Sequence, residues 1–274
     1  MILVIGKGHL GNIISKHINA NLCDKRLEDV LAESNLKNIT CIINAAGKTD
    51  LTWCENNKEE ANYINSYLPI QLSKKAKKLG INFIQLSSGC VWNGPYDKNG
   101  NPFIPISKTS PACYYTQTKV NCDESLIKEM FFDNKIAILR LRMPYSEIHS
   151  PRNLFTKLMN YKNLINTHNS ITSVNILCKT IKQLTNNSSH NLWNRITCVY
   201  DKGIITPYDI GVSLSKAGLR KLPGILSKYE LDSFHKPQRV DTVMYDQLFE
   251  ETIKPRNVNK EIYKALTRYK EKIK

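Results

Sequence analysis

The feature that most constrains the fold is a series of short apolar runs in which polar residues do not alternate. These runs are ILVIG at the N-terminus, ITCIINAAG, INFIQLSS and KIAILRLRMP, and segments with helical patterning separate them. A strand that is apolar at every position is buried on both faces, which is typical of parallel sheets covered by helices. The sequence therefore predicts an α/β fold, a Rossmann-type doubly wound parallel sheet.

The pattern becomes less regular near residue 150, which suggests a division of the chain. Residues 1–150 are predicted to form the dinucleotide-binding domain, and residues 151–274 a small C-terminal substrate-binding lobe, with part of the chain returning to the main sheet. The C-terminal segment NKEIYKALTRYKEKIK spaces its apolar residues as one stripe of an amphipathic helix. That stripe consists of Ile262, Ala265, Leu266, Tyr269 and Ile273.

Composition excludes several classes of function. The net charge is +15, but the lysines are scattered and no nucleic-acid-binding motif accompanies them, so we expect no nucleic-acid partner. No apolar run approaches the ~20 residues that span a bilayer, so no membrane partner is expected. The eight cysteines contain no CxxC pair. That pattern favours reduced thiols, no metal site and a cytoplasmic location, and a strand signal at the N-terminus argues against a signal peptide.

A glycine motif lies between the first predicted strand and the first predicted helix. GKGHLG has the GxGxxG spacing that lets a backbone turn approach a pyrophosphate at a helix N-terminus. Arg26, next to Lys25, lies where an acidic residue would indicate NAD, so NADP is favoured, although chance placement in a lysine-rich chain is an alternative. The predicted cofactor-binding residues of the two turns are Gly6, Lys7, Gly8, His9, Leu10, Gly11, Asn44, Ala45, Ala46 and Gly47.

The segment YYTQTK places Tyr115 and Lys119 one helical turn apart on the same face. An ammonium beside a phenol lowers the phenol's pKa and makes it an acid near neutral pH. Such a pair is common on solvated helices, so this spacing alone predicts nothing. Together with the glycine motif, NAAG and the hydroxyl of Ser88, it predicts an active site.

Several motifs follow the order found in one enzyme family. NAAGKTDLTWCE, INSYLPIQLSKKAKKLGI, LSSGCVWNG, YYTQTK and LRLRMP resemble the extended short-chain dehydrogenase/reductases, specifically the dTDP-4-dehydrorhamnose reductase family. GCVW, RLRMP and PRNLFTK are similar to hallmarks of the bifunctional 3,5-epimerase/4-reductases that make UDP-rhamnose. Trp92 replaces the usual Phe of that pattern. The resemblance covers roughly residues 1–175.

The resemblance implies roles for five residues. Ser88 and Tyr115 would hold the sugar C4 carbonyl, and Tyr115 would protonate it. Lys119 would bind the nicotinamide ribose, while Cys90 and Lys157 would exchange protons during epimerisation. For Cys90 the alternative is a small buried hydrophobic residue.

The remaining candidates lie near the predicted lobe boundary. Arg142, at a strand end, is assigned to the cofactor, and Trp92, Arg152, Asn153 and Arg239 are assigned to the substrate. The resemblance implies NADPH as cofactor and a nucleotide-diphosphate sugar as substrate, with UDP favoured over dTDP. Two alternatives are a 4-keto reductase without epimerase activity and a non-catalytic NADP-binding regulatory subunit. A homodimer is left open as the assembly.

Overall fold

The six strands of the main sheet are all parallel in the computed structural model, which describes residues 1–33, 36–130 and 135–273. Their order across the sheet is β2-β1-β3-β4-β5-β7. Two further short strands, β6 and β8, pair in parallel as a separate small sheet. The strands are β1 Ile2–Ile5, β2 Asn21–Cys23, β3 Cys41–Asn44, β4 Asn82–Ser88, β5 Ile136–Leu141, β6 Asn163–Ile165, β7 Arg195–Val199 and β8 Gly224–Leu226.

Helices cover both faces of the main sheet. One face is packed by α1 and α8, and the other by α2, α5 and α6. The helices are α1 His9–Ile18, α2 Leu27–Ala32, α3 Leu51–Asn56, α4 Lys58–Asn62, α5 Leu68–Lys78, α6 Tyr114–Glu129, α7 Leu154–Asn160, α8 Val174–Asn186, α9 Pro207–Lys216, α10 Lys228–Phe234, α11 Gln247–Ile253 and α12 Val258–Ile273. A doubly wound fold follows from this two-sided burial, and the predicted fold class is confirmed.

The main strands are apolar because both faces are buried. All four residues of β3 and all six of β5 are buried. The edge strand β2 was not predicted as a strand, because it has three residues, none of them fully buried, and begins with Asn21. Burial on both faces therefore gives the interior strands an apolar sequence pattern from which they can be predicted. The edge strand β2 is less buried and lacks that pattern.

Two predicted helices differ in detail from the observed ones. The segment EEANYINSYLPIQLSKKAKKLG has the sequence pattern of one helix closed by Gly80, but it forms α4, a π-helical turn at Tyr63–Tyr67, and α5. The segment SPACYYTQTKVNCDESLIKEMF is predicted as one helix from Ser110 to Phe131, but the helix begins at Tyr114, because Cys113 has an extended backbone and forms the N-cap. Its predicted end at Phe131 lies outside the described residues.

The second half of the chain builds a core of its own around α7, α9 and α12. On α12, four members of the predicted stripe, from Ile262 to Tyr269, are buried, whereas Ile273 at the helix end is 38% exposed. The strand β7 pairs with β5 and α8 packs on α1, so this half of the chain also contributes to the main sheet layer. The domain division at residue 150 stays a prediction.

The described residues contain neither a membrane-spanning helix nor a cluster of metal ligands. No helix among them is long and apolar enough to cross a membrane. Within the same ranges, no group of three His, Cys, Asp or Glu side chains is placed to hold a metal ion.

Candidate active site

The candidate residues meet because parallel strands deliver their carboxyl ends to one edge of the sheet. Ile5 at the end of β1 is in register with Asn44 of β3, and Asn44 is in register with Gln85 of β4. Ser88 ends β4 opposite Leu141, which ends β5. Ligands of open parallel sheets bind in the crevice outside these carboxyl ends. The residues that follow the four strands therefore surround one crevice.

The glycine turn after β1 is closely packed. Gly6 has φ +106°, and a Cβ there would lie 2.6 Å from the Ala46 nitrogen. A Cβ on Gly11 would lie 1.8 Å from the Gly6 oxygen, so no side chain fits at either position. The Asn12 amide donates to the carbonyls of Lys7 and Gly8 and holds the turn in shape.

The start of α1 is suited to an anion. Within the described part of the chain, no side chain caps α1, whose N-cap is Gly8. The first N–H groups of an α-helix have no partner inside the helix, and an uncapped N-terminus leaves them available to a phosphate. The turn therefore fits the diphosphate of a dinucleotide, and His9 and Leu10 form the first helical positions.

The second turn, after β3, is braced from inside the protein. The Asn44 side chain is fully buried, donates to Gln85 and accepts from the backbone N–H of Ala46. Asn44 thus shapes the turn through Ala45, Ala46 and Gly47 and is not itself directed at a ligand.

The end of β2 presents charges of both signs. Asp24 follows β2 directly, Lys25 pairs with Glu33 at 3.1 Å, and Arg26 is exposed at the start of α2. Sequence reasoning singled out the two cations and missed Asp24, because β2 was not recognised as a strand. An acidic residue at the end of β2 favours a ribose 2′-hydroxyl, whereas a neighbouring arginine accommodates a 2′-phosphate.

Tyr115 projects from α6 towards Ser88. Burial raises the pKa of the Tyr115 phenol, the neighbouring Cys90 raises it further, and hydrogen bonding to Ser88 opposes the rise. The prediction that Lys119 lowers this pKa is wrong for the protein without ligands, because the Lys119 ammonium lies 6.0 Å from the centre of the Tyr115 ring and burial dominates. Tyr115 is therefore protonated at neutral pH and is available as a proton donor.

Lys119 is a buried ammonium beside the second turn. It is 4% exposed, and burial lowers its pKa. A Cβ on Gly47 would lie 3.5 Å from its Nζ, which places the ammonium next to the turn after β3. Among the described residues, no side chain or carbonyl accepts a hydrogen bond from this ammonium. The ammonium is therefore available to donate a hydrogen bond to a hydroxyl of a ligand.

Sequence reasoning missed Asn65, whose side chain holds the backbone just after the second turn. Its fully buried side chain accepts from the Lys48 backbone N–H at 2.8 Å and donates to the Lys48 carbonyl at 2.9 Å. Asn65 lies in the π-helical turn Tyr63–Tyr67, and such turns are frequent at functional sites. The only sequence signal was its position inside INSYLPIQLSKKAKKLGI, because helical periodicity does not reveal a π turn.

Cys90 lies on the short 3₁₀ turn that follows β4. Its backbone N–H donates to Ser88 Oγ at 3.0 Å, and its half-buried sulfur accepts from Arg142 Nη1 at 3.2 Å. Arg142 was predicted to contact the cofactor. The structure instead places its guanidinium against Cys90.

A group of cations faces the glycine turn from the second half of the chain. The pKa of Lys157 is lowered mainly by partial burial, and then by the positive charges of Arg239 and Arg152. The Lys157 side chain nevertheless reaches solvent. His9 is affected in the same way, since burial, Lys157 and Arg152 lower its pKa. Its ring pairs with Ser146 at 3.3 Å. Mutual repulsion within such a group is relieved by an anion.

Arg152 lies on the cofactor side of the crevice. A Cβ on Gly8 would be 3.4 Å from Arg152 Nη1, and both residues line a groove of about 630 Å³ that also includes Asn12 and Ser150. The sequence had assigned Arg152 to the substrate.

Two predicted substrate residues are internal. Trp92 is fully buried, stacks on Phe103 at 5.3 Å and lies 4.8 Å from the Arg140 guanidinium. Asn153 is fully buried, caps α7 and donates to the carbonyl of Ser146 at 2.8 Å. Both residues support the walls of the crevice, and neither side chain has polar atoms free for a substrate.

This sheet, with its glycine turn and its Ser88, Tyr115 and Lys119 side chains, defines an extended short-chain dehydrogenase/reductase. The RmlD substrate binding domain family model matches residues 9–178, more than half of the chain, and the chain belongs to that family.

Individual relatives agree with this assignment. The chain is 29% identical, over 216 residues, to the trifunctional UDP-glucose 4,6-dehydratase/UDP-4-keto-6-deoxy-D-glucose 3,5-epimerase/UDP-4-keto-L-rhamnose-reductase RHM3 of Arabidopsis thaliana. That match covers 70% of this chain and 31% of the relative, so the chain spans about a third of the length of that protein.

Two solved structures share the fold over nearly their whole length. The L780 UDP-rhamnose synthase of Acanthamoeba polyphaga mimivirus superposes with a TM-score of 0.84 at 20% identity, covering 98% of this chain and 99% of that one. The dTDP-4-dehydrorhamnose reductase of Bacillus anthracis in complex with NADP gives 0.81 at 16% identity, covering 98% of each chain.

Proposed function

We propose that the chain is an NADPH-dependent reductase of a nucleotide-diphospho-4-keto-6-deoxyhexose that also epimerises the sugar at C3 and C5. The observation that carries the proposal is the convergence of Ser88, Tyr115 and Lys119 beside an uncapped glycine turn. The family assignment supports the substrate class, and the similarity to UDP-rhamnose-forming relatives favours UDP over dTDP.

Reduction requires a hydride, which bound NADPH would supply to the carbonyl carbon at C4. Ser88 and Tyr115 would donate hydrogen bonds to the carbonyl oxygen, and the Tyr115 proton would pass to that oxygen as the alcohol forms. A phenol whose pKa is raised by burial holds this proton until the oxygen becomes more basic. The Lys119 ammonium would bind a ribose hydroxyl of the cofactor and align the ring.

The same proposal includes a preference for NADP over NAD as the cofactor. The uncapped α1 and Arg152 would hold the diphosphate, and Arg26 would pair with a 2′-phosphate. The fold relative from Bacillus anthracis, solved with NADP, supports this choice. Asp24 would then have to turn away from the phosphate.

Epimerisation requires a base on one face of the sugar and an acid on the other. The thiolate of Cys90 would take the C–H proton next to the carbonyl: the C–H bond breaks, an S–H bond forms, and the electron pair moves onto the carbonyl oxygen. Ser88 and Tyr115 would stabilise that oxygen. The Lys157 ammonium, whose pKa is already lowered, would return a proton to the opposite face.

One observation favours a reductase without epimerase activity. Among the described residues, no contact joins Cys90 to Lys157. The two would act together only through a sugar bound between them. The second candidate is therefore a 4-keto reductase in which Cys90 only packs.

Product analysis in deuterated water separates the candidates. The protein is incubated with UDP- or dTDP-4-keto-6-deoxyglucose and NADPH, and the sugar products and their deuterium content are identified. Cys90→Ala should stop deuterium incorporation but spare reduction of an already epimerised 4-keto-rhamnose substrate. Tyr115→Phe should lower reduction by about 10²–10⁴-fold while some incorporation persists.

Each failure has a distinct meaning. Absence of incorporation in the wild type would leave a reductase alone, and incorporation unchanged in Cys90→Ala would show that Cys90 is not the base. NADPH binding without oxidation by any 4-keto-6-deoxy nucleotide sugar would contradict the enzyme and leave a cofactor-binding regulatory subunit.

A further inference from the structure

Arg142 is a buried cation with an unusual set of partners. It follows the end of β5, is 7% exposed, and its backbone is fixed by hydrogen bonds with Thr172. Its Nη2 donates to Asn169 Oδ1 at 2.7 Å and to the Val240 carbonyl, while Nη1 donates to the sulfur of Cys90 at 3.2 Å. Among the described residues, its Nε is buried and has no hydrogen-bond partner. The guanidinium is thus held in place by three hydrogen bonds, one of which is donated to the thiol.

A second buried arginine on β5 shows what Arg142 lacks. Arg140, two residues earlier, pairs with the Asp123 carboxylate at 2.9 Å. Within the described ranges, no carboxylate lies within ion-pair distance of Arg142. Asp241 is connected to it only through the amide of Asn169, which donates to Asp241 Oδ1 at 3.1 Å.

This difference matters because a guanidinium keeps its charge when buried. A buried charge without an opposite charge in contact is costly, so such groups are normally paired. Cys90 is the ionisable side chain that touches Arg142 directly. An ionised Cys90 would supply the missing negative charge at 3.2 Å, and a thiolate is the form of cysteine that acts as a base.

The local backbone keeps the two groups together. The residue before Cys90 is Gly89, and a Cβ on Gly89 would lie 2.5 Å from Met244 Sδ and 3.5 Å from the Leu141 carbonyl. The absence of a side chain lets the cysteine turn press against Met244 and the end of β5, the strand end from which Arg142 extends. The contact between Cys90 and Arg142 is therefore built into the fold.

We propose that Arg142 is a positioning residue that holds the sulfur of Cys90 as a thiolate at the crevice. The inference rests on the proposed epimerase function, in which this thiolate removes a sugar C–H proton. Ionisation of Cys90 releases its thiol proton to solvent, and the guanidinium stays protonated throughout. When the thiolate later accepts the sugar proton, Arg142 is left beside a neutral thiol, which favours release of that proton to solvent and regenerates the thiolate.

The neighbouring phenol fits the same arrangement. A negative Cys90 raises the pKa of Tyr115, so the ion pair keeps Tyr115 protonated for its role in reduction. The ionisable groups around the thiol are Arg142 on one side and Tyr115 on the other, with Cys54, Cys113 and Lys119 beyond the phenol. Of the two cations, Arg142 is the one that contacts the sulfur.

The test measures the ionisation of Cys90 directly, in the full-length protein without sugar or cofactor. Ultraviolet thiolate absorbance is followed with pH in the wild type and in Cys90→Ala, and the difference is assigned to Cys90. Four buried thiols, Cys41, Cys122, Cys178 and Cys198, have pKa values raised to about 12 and are silent near neutral pH. Iodoacetamide labelling of Cys90, read by peptide mass spectrometry, gives an independent profile.

We expect Cys90 to be mostly ionised at neutral pH, against a few per cent for an unperturbed thiol. Below neutral pH its labelling should exceed that of an unstructured thiol peptide by about tenfold. Arg142→Gln should shift the profile towards that of the peptide, and Arg142→Lys should restore part of it.

Cys90 that titrates like the peptide in the wild type would overturn the inference, whether or not the Arg142 variants fold. If Cys90 is a thiolate but no deuterium exchanges into the sugar, the ion pair is supported and the epimerase function is refuted. Exchange that depends on Cys90 without a thiolate would refute the ion pair and leave the epimerase.

Discussion

Replacing Lys119 by methionine should stabilise the folded protein while removing its activity. Lys119 is 4% exposed, and within the described residues its ammonium has neither an ion pair nor a hydrogen-bond acceptor. Methionine is of similar length and has no charge to desolvate. Exchange of a buried charged group for a well-packed apolar one is neutral or stabilising by up to about 4 kcal/mol, so we expect a gain of about 1–3 kcal/mol.

The gain should depend on pH. Burial lowers the Lys119 pKa in the folded state below its ordinary 10.5. Below that lowered pKa, both states carry the proton and the whole penalty applies. Between it and 10.5 the unfolded chain binds the proton more, so the wild type gains unfolding free energy as pH rises. The advantage of Lys119→Met should therefore shrink as the pH approaches 10.5.

Urea unfolding without cofactor, at neutral and at alkaline pH, measures this difference, and a gain of about 2 kcal/mol corresponds to about 4–8 °C in Tm. Lys128→Met, at an exposed position of the same helix, is the matched control and should change stability by less than about 0.5 kcal/mol. NADPH oxidation with the 4-keto sugar should be lost only in Lys119→Met. Destabilisation of Lys119→Met at neutral pH, or full turnover, would refute the reasoning.

Three further predictions concern the turn, the crevice wall and the core. Gly11→Ala should abolish NADPH binding in a fluorescence titration and lower Tm, since its Cβ would lie 1.8 Å from the Gly6 oxygen. Arg152→Ala should weaken NADPH binding by about tenfold and leave Tm unchanged, whereas an equal rise in the sugar KM alone would assign Arg152 to the substrate. Asp123→Asn should cost about 3–5 kcal/mol in urea unfolding by leaving Arg140 unpaired, and the exposed Glu124→Gln should cost almost nothing.

The main sheet could be predicted because its strands are buried on both faces. β4 is buried at six of its seven positions, and its apolar residues Phe83, Ile84 and Leu86 do not alternate with polar ones. The second small sheet could not be predicted in the same way. β6 and β8 have three residues each, and of these only Leu164 is buried, so neither strand leaves a pattern in the sequence. The strands that could be predicted from the sequence differ from β6 and β8 in their length and in the burial of both faces, not in β-propensity.

The site was predictable where it depends on local spacing. Gly6 and Gly11 are five residues apart, and Tyr115 and Lys119 are one helical turn apart, so the glycine turn and the shared helix face follow from short segments. The phenol's pKa was predicted in the wrong direction, because it depends on burial by distant parts of the chain. Asn65 was missed because its position depends on a π turn that apolar periodicity does not reveal.

The two arginines of RLRMP could not be distinguished from the local sequence. Arg140 and Arg142 lie two residues apart and are both buried, so spacing and residue type assign them the same environment. Arg140 meets Asp123, 17 residues away, and becomes a structural ion pair under Trp92. Arg142 meets Cys90, 52 residues away, and has no contacting carboxylate among the described residues. Because burial of a cation is costly in both cases, the partner decides whether its charge is neutralised by a carboxylate or faces the sulfur of Cys90.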